Sequence, residues 1–209
     1  MQIIPAILPN NQTDLNTHAK AVLGLVSYIQ IDICDGVFVP AKTNFNELPY
    51  LEQMEYELDL MIDQPEIDLP MYVDMGCGRV VIHLESVRDW ERLSKNLAKI
   101  RGIVEIGFAI SNTTENTLLA EKIDQCDFIQ LMGIATIGVQ AQPFDDRVLE
   151  KISYFHTHYP EKPISIDGSV NADTINKLAS AGATRFVVGS FLYRGDVEKN
   201  YQVITELLK

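Results

Sequence analysis

Three aspartates stand in stretches that otherwise read as buried β-strand. In Tyr28-Ile29-Gln30-Ile31-Asp32-Ile33 the isoleucines take one face of a strand, while Gln30 and Asp32 share the other. Leu58-Asp59-Leu60-Met61 and Ile164-Ser165-Ile166-Asp167 alternate in the same way, placing Asp59 with Met61 and Ser165 with Asp167. Buried parallel strands usually read as unbroken runs of Val, Ile and Leu, so each carboxylate is an exception. One such aspartate is accounted for by a strand-end polar residue or a helix cap. Three converging on one axis are not, because each unpaired buried charge costs several kcal/mol. They call for a cation, shared protons or a responsive substrate, which means general acid–base chemistry or ligation of a hard metal.

The remaining titratable residues carry less. His83 closes the strand-like stretch 79–84 and reads as a hydrogen-bonded core residue. His156 and His158 fall on the outward face of an amphipathic stretch, and His18 reads similarly. Asp35 with Gly36 fits a tight turn.

Positioning the aspartates requires a strand–helix alternation that repeats about eight times. Strands are expected at 3–8, 28–33, 56–62, 79–84, 104–110, 127–132, 163–167 and 185–189. Helices are expected at 14–25, 87–100, 115–123, 145–158, 172–181 and 197–208. Such alternation indicates βαβ units and a parallel sheet, and 209 residues suit one (β/α)8 TIM barrel as a single domain over 1–209. An open dinucleotide-binding sheet is disfavoured, since the first turn, Leu8-Pro9-Asn10-Asn11, contains no glycine. Asn11 or Thr13, Ser86 and Asn171 are candidate helix caps, and Gly182 a helix stop. The second and third helices are weakest: 47–54 is short, and Pro70 should break the ladder of the third. In a barrel, Gln30, Asp32, Asp59 and Asp167 would point inward near the C-terminal ends of the strands, where barrel sites lie.

Composition narrows the function. A net charge of −12 opposes nucleic acid as a general partner, so any phosphate needs a local site of amides or a well-placed cation. No apolar run approaches the roughly 20 residues of a membrane span, and the N-terminus has no signal-peptide pattern, so a cytoplasmic enzyme is expected. Cys34, Cys77 and Cys126 suggest neither a disulfide framework nor a zinc pair.

The stretch Gln30-Ile31-Asp32-Ile33-Cys34-Asp35-Gly36-Val37-Phe38-Val39-Pro40 closely resembles the second-strand signature of the ribulose-phosphate 3-epimerases, a His-x-Asp pair followed by a Met-Asp-Gly-His-Phe-Val-Pro turn. Leu58 to Pro65 resembles that family's third strand, Val81-Ile82-His83-Leu84-Glu85 its fourth, and Gly138 to Phe144 its glycine-rich Gln loop. Ile166-Asp167-Gly168-Ser169 and Val188-Gly189-Ser190 resemble its seventh and eighth strand ends, so the likeness spans nearly the whole chain. It implies epimerisation of D-ribulose 5-phosphate and D-xylulose 5-phosphate. Asp32 and Asp167, on opposite sides of the barrel, would exchange protons at C3 while a metal steadies the enediolate.

The resemblance also implies a metal set of Gln30, Asp32, Asp59 and Asp167, with Gln30 and Asp59 replacing two family histidines. This all-oxygen shell points to Mg²⁺ or Mn²⁺ rather than Zn²⁺ or Fe²⁺. Implied substrate contacts are Met61, Met132, Gly138, Gln142, Gly168, Ser169, Gly189 and Ser190. Three further departures are Ala6 for a serine, Gln140 and Ala141 for loop glycines, and Ser169 for a glycine. The partner is thus a small phosphosugar, with a homo-oligomer left open. The departures keep two alternatives in play: a retired or re-specialised phosphosugar-binding barrel, and a C3-epimerase of another keto-sugar phosphate. Lysine-dependent barrel chemistry is disfavoured, because all ten lysines fall on helices or loops.

Overall fold

The computed structural model describes residues 1–139 and 141–209, and in it eight parallel strands pair in chain order until the last meets the first. They are β1 (Gln2–Ile7), β2 (Tyr28–Cys34), β3 (Glu55–Met61), β4 (Arg79–His83), β5 (Glu105–Ile110), β6 (Phe128–Met132), β7 (Ile164–Asp167) and β8 (Arg185–Val188). Every expected strand is present. Among the described residues the sheet is wrapped by α1 (Gln12–Val22), α2 (Pro65–Asp74), α3 (Trp90–Ile100), α4 (Asn116–Ala120), α5 (Arg147–His158), α6 (Ile175–Ala181) and α7 (Val197–Leu207). The result is a (β/α)8 barrel with one helix position unfilled, and no described helix is long and apolar enough to cross a membrane.

The period of two along each strand decides where the core sits. Ile29, Ile31, Ile33, Leu58, Leu60 and Ile166 point outward and join Leu15, Leu93 and Ile152 of the helices in one apolar layer. Each fully buried side chain of this size contributes roughly 1.5–3 kcal/mol, which lets the opposite faces carry polar groups into the barrel. Within that interior, Ile4, Ala6 and Val187 form one small apolar patch and Val81, Ala109 and Phe128 another.

Two helix expectations need correction. α2 runs straight through Pro70, with Pro65 in its first turn, where a missing N–H costs nothing. Pro70 leaves the carbonyl of Glu66 without its usual i+4 donor, and the side-chain amide of Asn96 on α3 donates to it at 3.0 Å. Residues 47–54 form turns and no helix: Tyr50 adopts φ 58°, and the Tyr56 hydroxyl donates to the Pro49 carbonyl. Capping also differs in part. Asn11 caps α1, accepting from the Asp14 amide at 3.0 Å, and Gly182 ends α6 at φ 118°. Ser86 instead sits in a 3-10 turn, donating to the His83 carbonyl, and Asp89 caps α3. Asn171 accepts from the Asp173 amide, but α6 starts only at Ile175.

Candidate active site

Register brings the aspartates together. Asp32 on β2 lies beside Asp59 on β3, and Asp167 ends β7 between Met132 and Val187. One oxygen from each of Asp32, Asp59 and Asp167 lies within 4.8 Å of the other two, so the three could together hold a metal ion. β2 and β7 are not diametrically opposed, as expected from sequence; only β8 and β1 separate them on the short side. The residues that these two strands place alongside, Ala6 and Val187, are small enough to let the carboxylates approach.

A hydrogen-bond network fixes all three carboxylates. The Gln30 amide nitrogen donates to Asp32 Oδ1 at 3.0 Å and to Asp167 Oδ2 at 3.4 Å, bridging the two. His83 Nε2 lies 3.0 Å from Asp59 Oδ1, and the Gln130 amide donates to Asp59 Oδ2 at 2.9 Å. His83 is therefore the hydrogen-bonded core residue expected, although its partner belongs to the site. Gln130 was missed. Its segment, Phe128-Ile129-Gln130-Leu131-Met132, carries the same polar interruption that flagged Gln30. Gln30 Oε1, Gln130 Oε1 and His83 Nδ1 are buried without a hydrogen-bond partner.

Electrostatics favours protons in this cluster. Burial, followed by the charges of Asp167 and Asp59, pushes the Asp32 carboxyl well above its usual range. Burial and the charge of Asp59 push Asp167 up to about 7, with His83 and the Gln30 hydrogen bond pulling the other way. Burial alone would lower His83, but the charge and hydrogen bond of Asp59 outweigh it and the net shift is upward. His83 thus pairs with Asp59, while Asp32 and Asp167 share the Gln30 amide.

Above the cluster a cavity of about 480 Å³ opens at the C-terminal ends of the strands. Asp32 and Asp167 line it, as do all eight expected substrate contacts: Met61, Met132, Gly138, Gln142, Gly168, Ser169, Gly189 and Ser190. Gln30 and Asp59 do not. They are 0% exposed, whereas Asp32 and Asp167 each keep 9%. Gly168, at φ 99°, tolerates no side chain, since a Cβ there would come 2.7 Å from Ile134. Ser169 adopts φ 53°, and its hydroxyl donates to the Gln142 carbonyl, tying the loop after β6 to the turn after β7. Gln140 lies outside the described residues. Arg194, which no sequence motif singled out, also lines the cavity.

The profile of the ribulose-phosphate 3 epimerase family matches residues 2–193. The chain belongs to that family. The ribulose-phosphate 3-epimerase of Mycobacterium bovis is 28% identical over 204 residues, covering 93% of this chain and 86% of that protein. That of Bacillus subtilis is 28% identical over 203 residues, covering 92% of each. Among solved structures, a 3-hexulose-6-phosphate synthase superposes with TM-score 0.73 at 17% identity, covering 99% of both chains. The 3-keto-L-gulonate-6-phosphate decarboxylase of Vibrio cholerae gives TM-score 0.69 at 14% identity, covering 99% of this chain and 96% of that one. These two likenesses establish a shared fold.

The donor set of this epimerase-family barrel fits a hard divalent ion. Octahedral Mg²⁺ at about 2.1 Å spaces its ligand oxygens roughly 3 to 4.2 Å apart, and carboxylate oxygens that all lie within 4.8 Å of one another need little or no contraction to meet that spacing. Gln30 now presents its nitrogen to the carboxylates, and a half-turn of the amide would bring the unpartnered Oε1 to the same place.

Proposed function

We propose that this chain is an epimerase interconverting D-ribulose 5-phosphate and D-xylulose 5-phosphate, with Asp32 and Asp167 as the proton-transfer pair at C3. The observation that carries the reading is two buried, proton-retaining carboxyls sharing the floor of one cavity within a family of epimerases. The C3 hydrogen is acidified by the neighbouring C2 carbonyl. One carboxylate, ionised, takes it from one face and leaves an enediolate; the other, protonated, returns a proton to the opposite face. Burial raises both carboxyls, helped by the charges of Asp167 and Asp59 at Asp32 and of Asp59 at Asp167, which favours a proton shared within the pair. Gln30 bridges the pair, and Asp59 is held by His83 and Gln130.

Gln30, Asp32, Asp59 and Asp167 would hold a divalent cation, which supplies positive charge beside the developing oxyanion. An all-oxygen shell selects Mg²⁺ or Mn²⁺ over Zn²⁺ or Fe²⁺. The phosphate rests on amides of Gly168-Ser169 and Gly189-Ser190, where barrels commonly bind one, with Met61 and Met132 against the sugar. Gly138 and Gln142 close the wall from the loop after β6. In this reading residues 1–209 act as one cytoplasmic domain on a small phosphosugar.

Incubation with D-ribulose 5-phosphate in D₂O tests this reading. Deuterium appearing at C3 supports it; none appearing with any divalent metal tried turns the reading to a retired, phosphosugar-binding barrel. One observation favours a longer keto-sugar phosphate. A second cavity of about 140 Å³ adjoins the first, with Ala6, Leu8 and Ser190 lining both. Faster exchange at C3 of a ketohexose 6-phosphate than of the pentulose would establish that specificity.

A further inference from the structure

The cavity poses a charge problem for its proposed ligand. Asp32, Asp167 and Asp173 all line it, in a chain of net charge −12, and a sugar phosphate brings up to two more negative charges. Backbone amides offset part of that repulsion with partial charges only. Among the described residues a single lysine or arginine lines the cavity, Arg194.

Four of the other six arginines have a carboxylate partner among the described residues, and neither Arg92 nor Arg101, which like Arg194 lack one, lines the cavity. Arg79 and Arg185 are held by Glu105, Arg88 by Asp63 and Arg147 by Asp145. Among the described residues, no carboxylate holds Arg194. Its backbone, by contrast, is well fixed. It sits in the turn between β8 and α7, four residues beyond Ser190, and the Asn200 side-chain amide on α7 donates to three carbonyls of that turn. These are Phe191 at 3.2 Å, Leu192 at 3.1 Å and Arg194 itself at 2.8 Å. Gly195, at φ 82°, then turns the chain into α7. An exposed guanidinium on a clamped turn is a pre-positioned cation: ordering it costs side-chain entropy alone.

We infer that the Arg194 guanidinium grips the phosphate of the substrate and is the residue by which this site demands a phosphorylated sugar. The inference rests on the reading of the cavity as a sugar-phosphate site. The planar fork of an arginine matches two phosphate oxygens at once, so the ion pair adds direction as well as charge. Anchored by the amides at the end of β8, a phosphate meets the guanidinium on the same turn, which offsets the charge of Asp173 in the same lining.

The test uses the full chain and its R194A and R194K variants, with inorganic phosphate as the calorimetric probe and D-ribulose 5-phosphate against unphosphorylated D-ribulose in turnover. R194A should weaken phosphate affinity and raise KM for the phosphorylated sugar on the order of 10- to 100-fold, with kcat within about threefold. R194K should recover part of the affinity, having the charge without the fork. KM for the unphosphorylated sugar should not change. Equal phosphate affinity in the native chain and R194A would overturn the inference, as would a native chain that binds no phosphate. Should phosphate binding depend on Arg194 while no epimerisation occurs, the inference stands and the epimerase reading falls. Should epimerisation proceed with R194A indistinguishable, the reverse holds.

Discussion

The two ends of the barrel interior both bury acids, and they treat them in opposite ways. At the N-terminal end Glu57, fully buried, has Arg79 at 3.8 Å, and Arg79 and Arg185 both reach Glu105. The Arg185 guanidinium also lies over Phe128, whose ring fills the space that a side chain at Gly107 would take. Burial pushes Glu57 up to about 7, but its second and third influences, Arg79 and Arg185, act to lower it. At the C-terminal end burial again pushes Asp167 up to about 7, and there the second influence, Asp59, raises it further. One end is a charge-matched plug. The other holds three acids against one histidine and turns two of them toward a cavity, an arrangement that stability alone does not favour.

The largest test of this contrast is at the mouth. D32N and D167N should each slow epimerisation by roughly 10²- to 10⁴-fold while melting no lower than the native chain, since each removes a repelling buried charge. A clear loss of melting temperature would make these aspartates structural. R79M should do the converse at the plug: it strands Glu57 and should lower unfolding free energy by roughly 3 kcal/mol, with turnover per folded molecule unchanged. Denaturant titration alongside an active-site assay separates the two effects.

A smaller effect comes from pH. Asp167 and Glu57 are raised above their ordinary 3.8 and 4.5 to about 7, and His83 is raised above 6.5. Each of these three groups binds more protons in the native state than in the unfolded chain, so the stability they contribute is fullest at low pH and is lost as pH rises. The urea midpoint should therefore drop between pH 5 and pH 8, and D167N and E57Q should each flatten part of that slope. A midpoint that climbs over this window would mean the acids are not proton-retaining. The most subtle change expected is in metal preference. Q30H combined with D59H should shift retained metal from Mg²⁺ or Mn²⁺ toward Zn²⁺ by elemental analysis. Unchanged metal content would place the ion elsewhere.

Much of this was legible in the chain itself, and the exceptions have physical causes. The eight strands followed from a period-two pattern that needs no partner, and the three aspartates from polar interruptions of it. Gln130 and the role of His83 depend on register: which side chain faces Asp59 is decided by strands β4 and β6, far away in sequence. The helix through Pro70 depends on Asn96, whose amide replaces the lost donor from a neighbouring helix. Arg194 escaped because a lone arginine in a turn carries no pattern; its place on the cavity is set by Asn200 and the closure of β8 on β1. The distance between β2 and β7 was overstated because the closure of β8 on β1, which leaves only those two strands between them, was not counted.

The most direct measurement follows the C3 hydrogen in each single variant. With Asp32 and Asp167 addressing opposite faces of one carbon, D32N and D167N in D₂O should each still wash deuterium into one epimer without converting it, and the epimers should be different ones. Both variants labelling the same epimer, or both labelling the two alike, would contradict a pair of carboxyls acting from opposite faces.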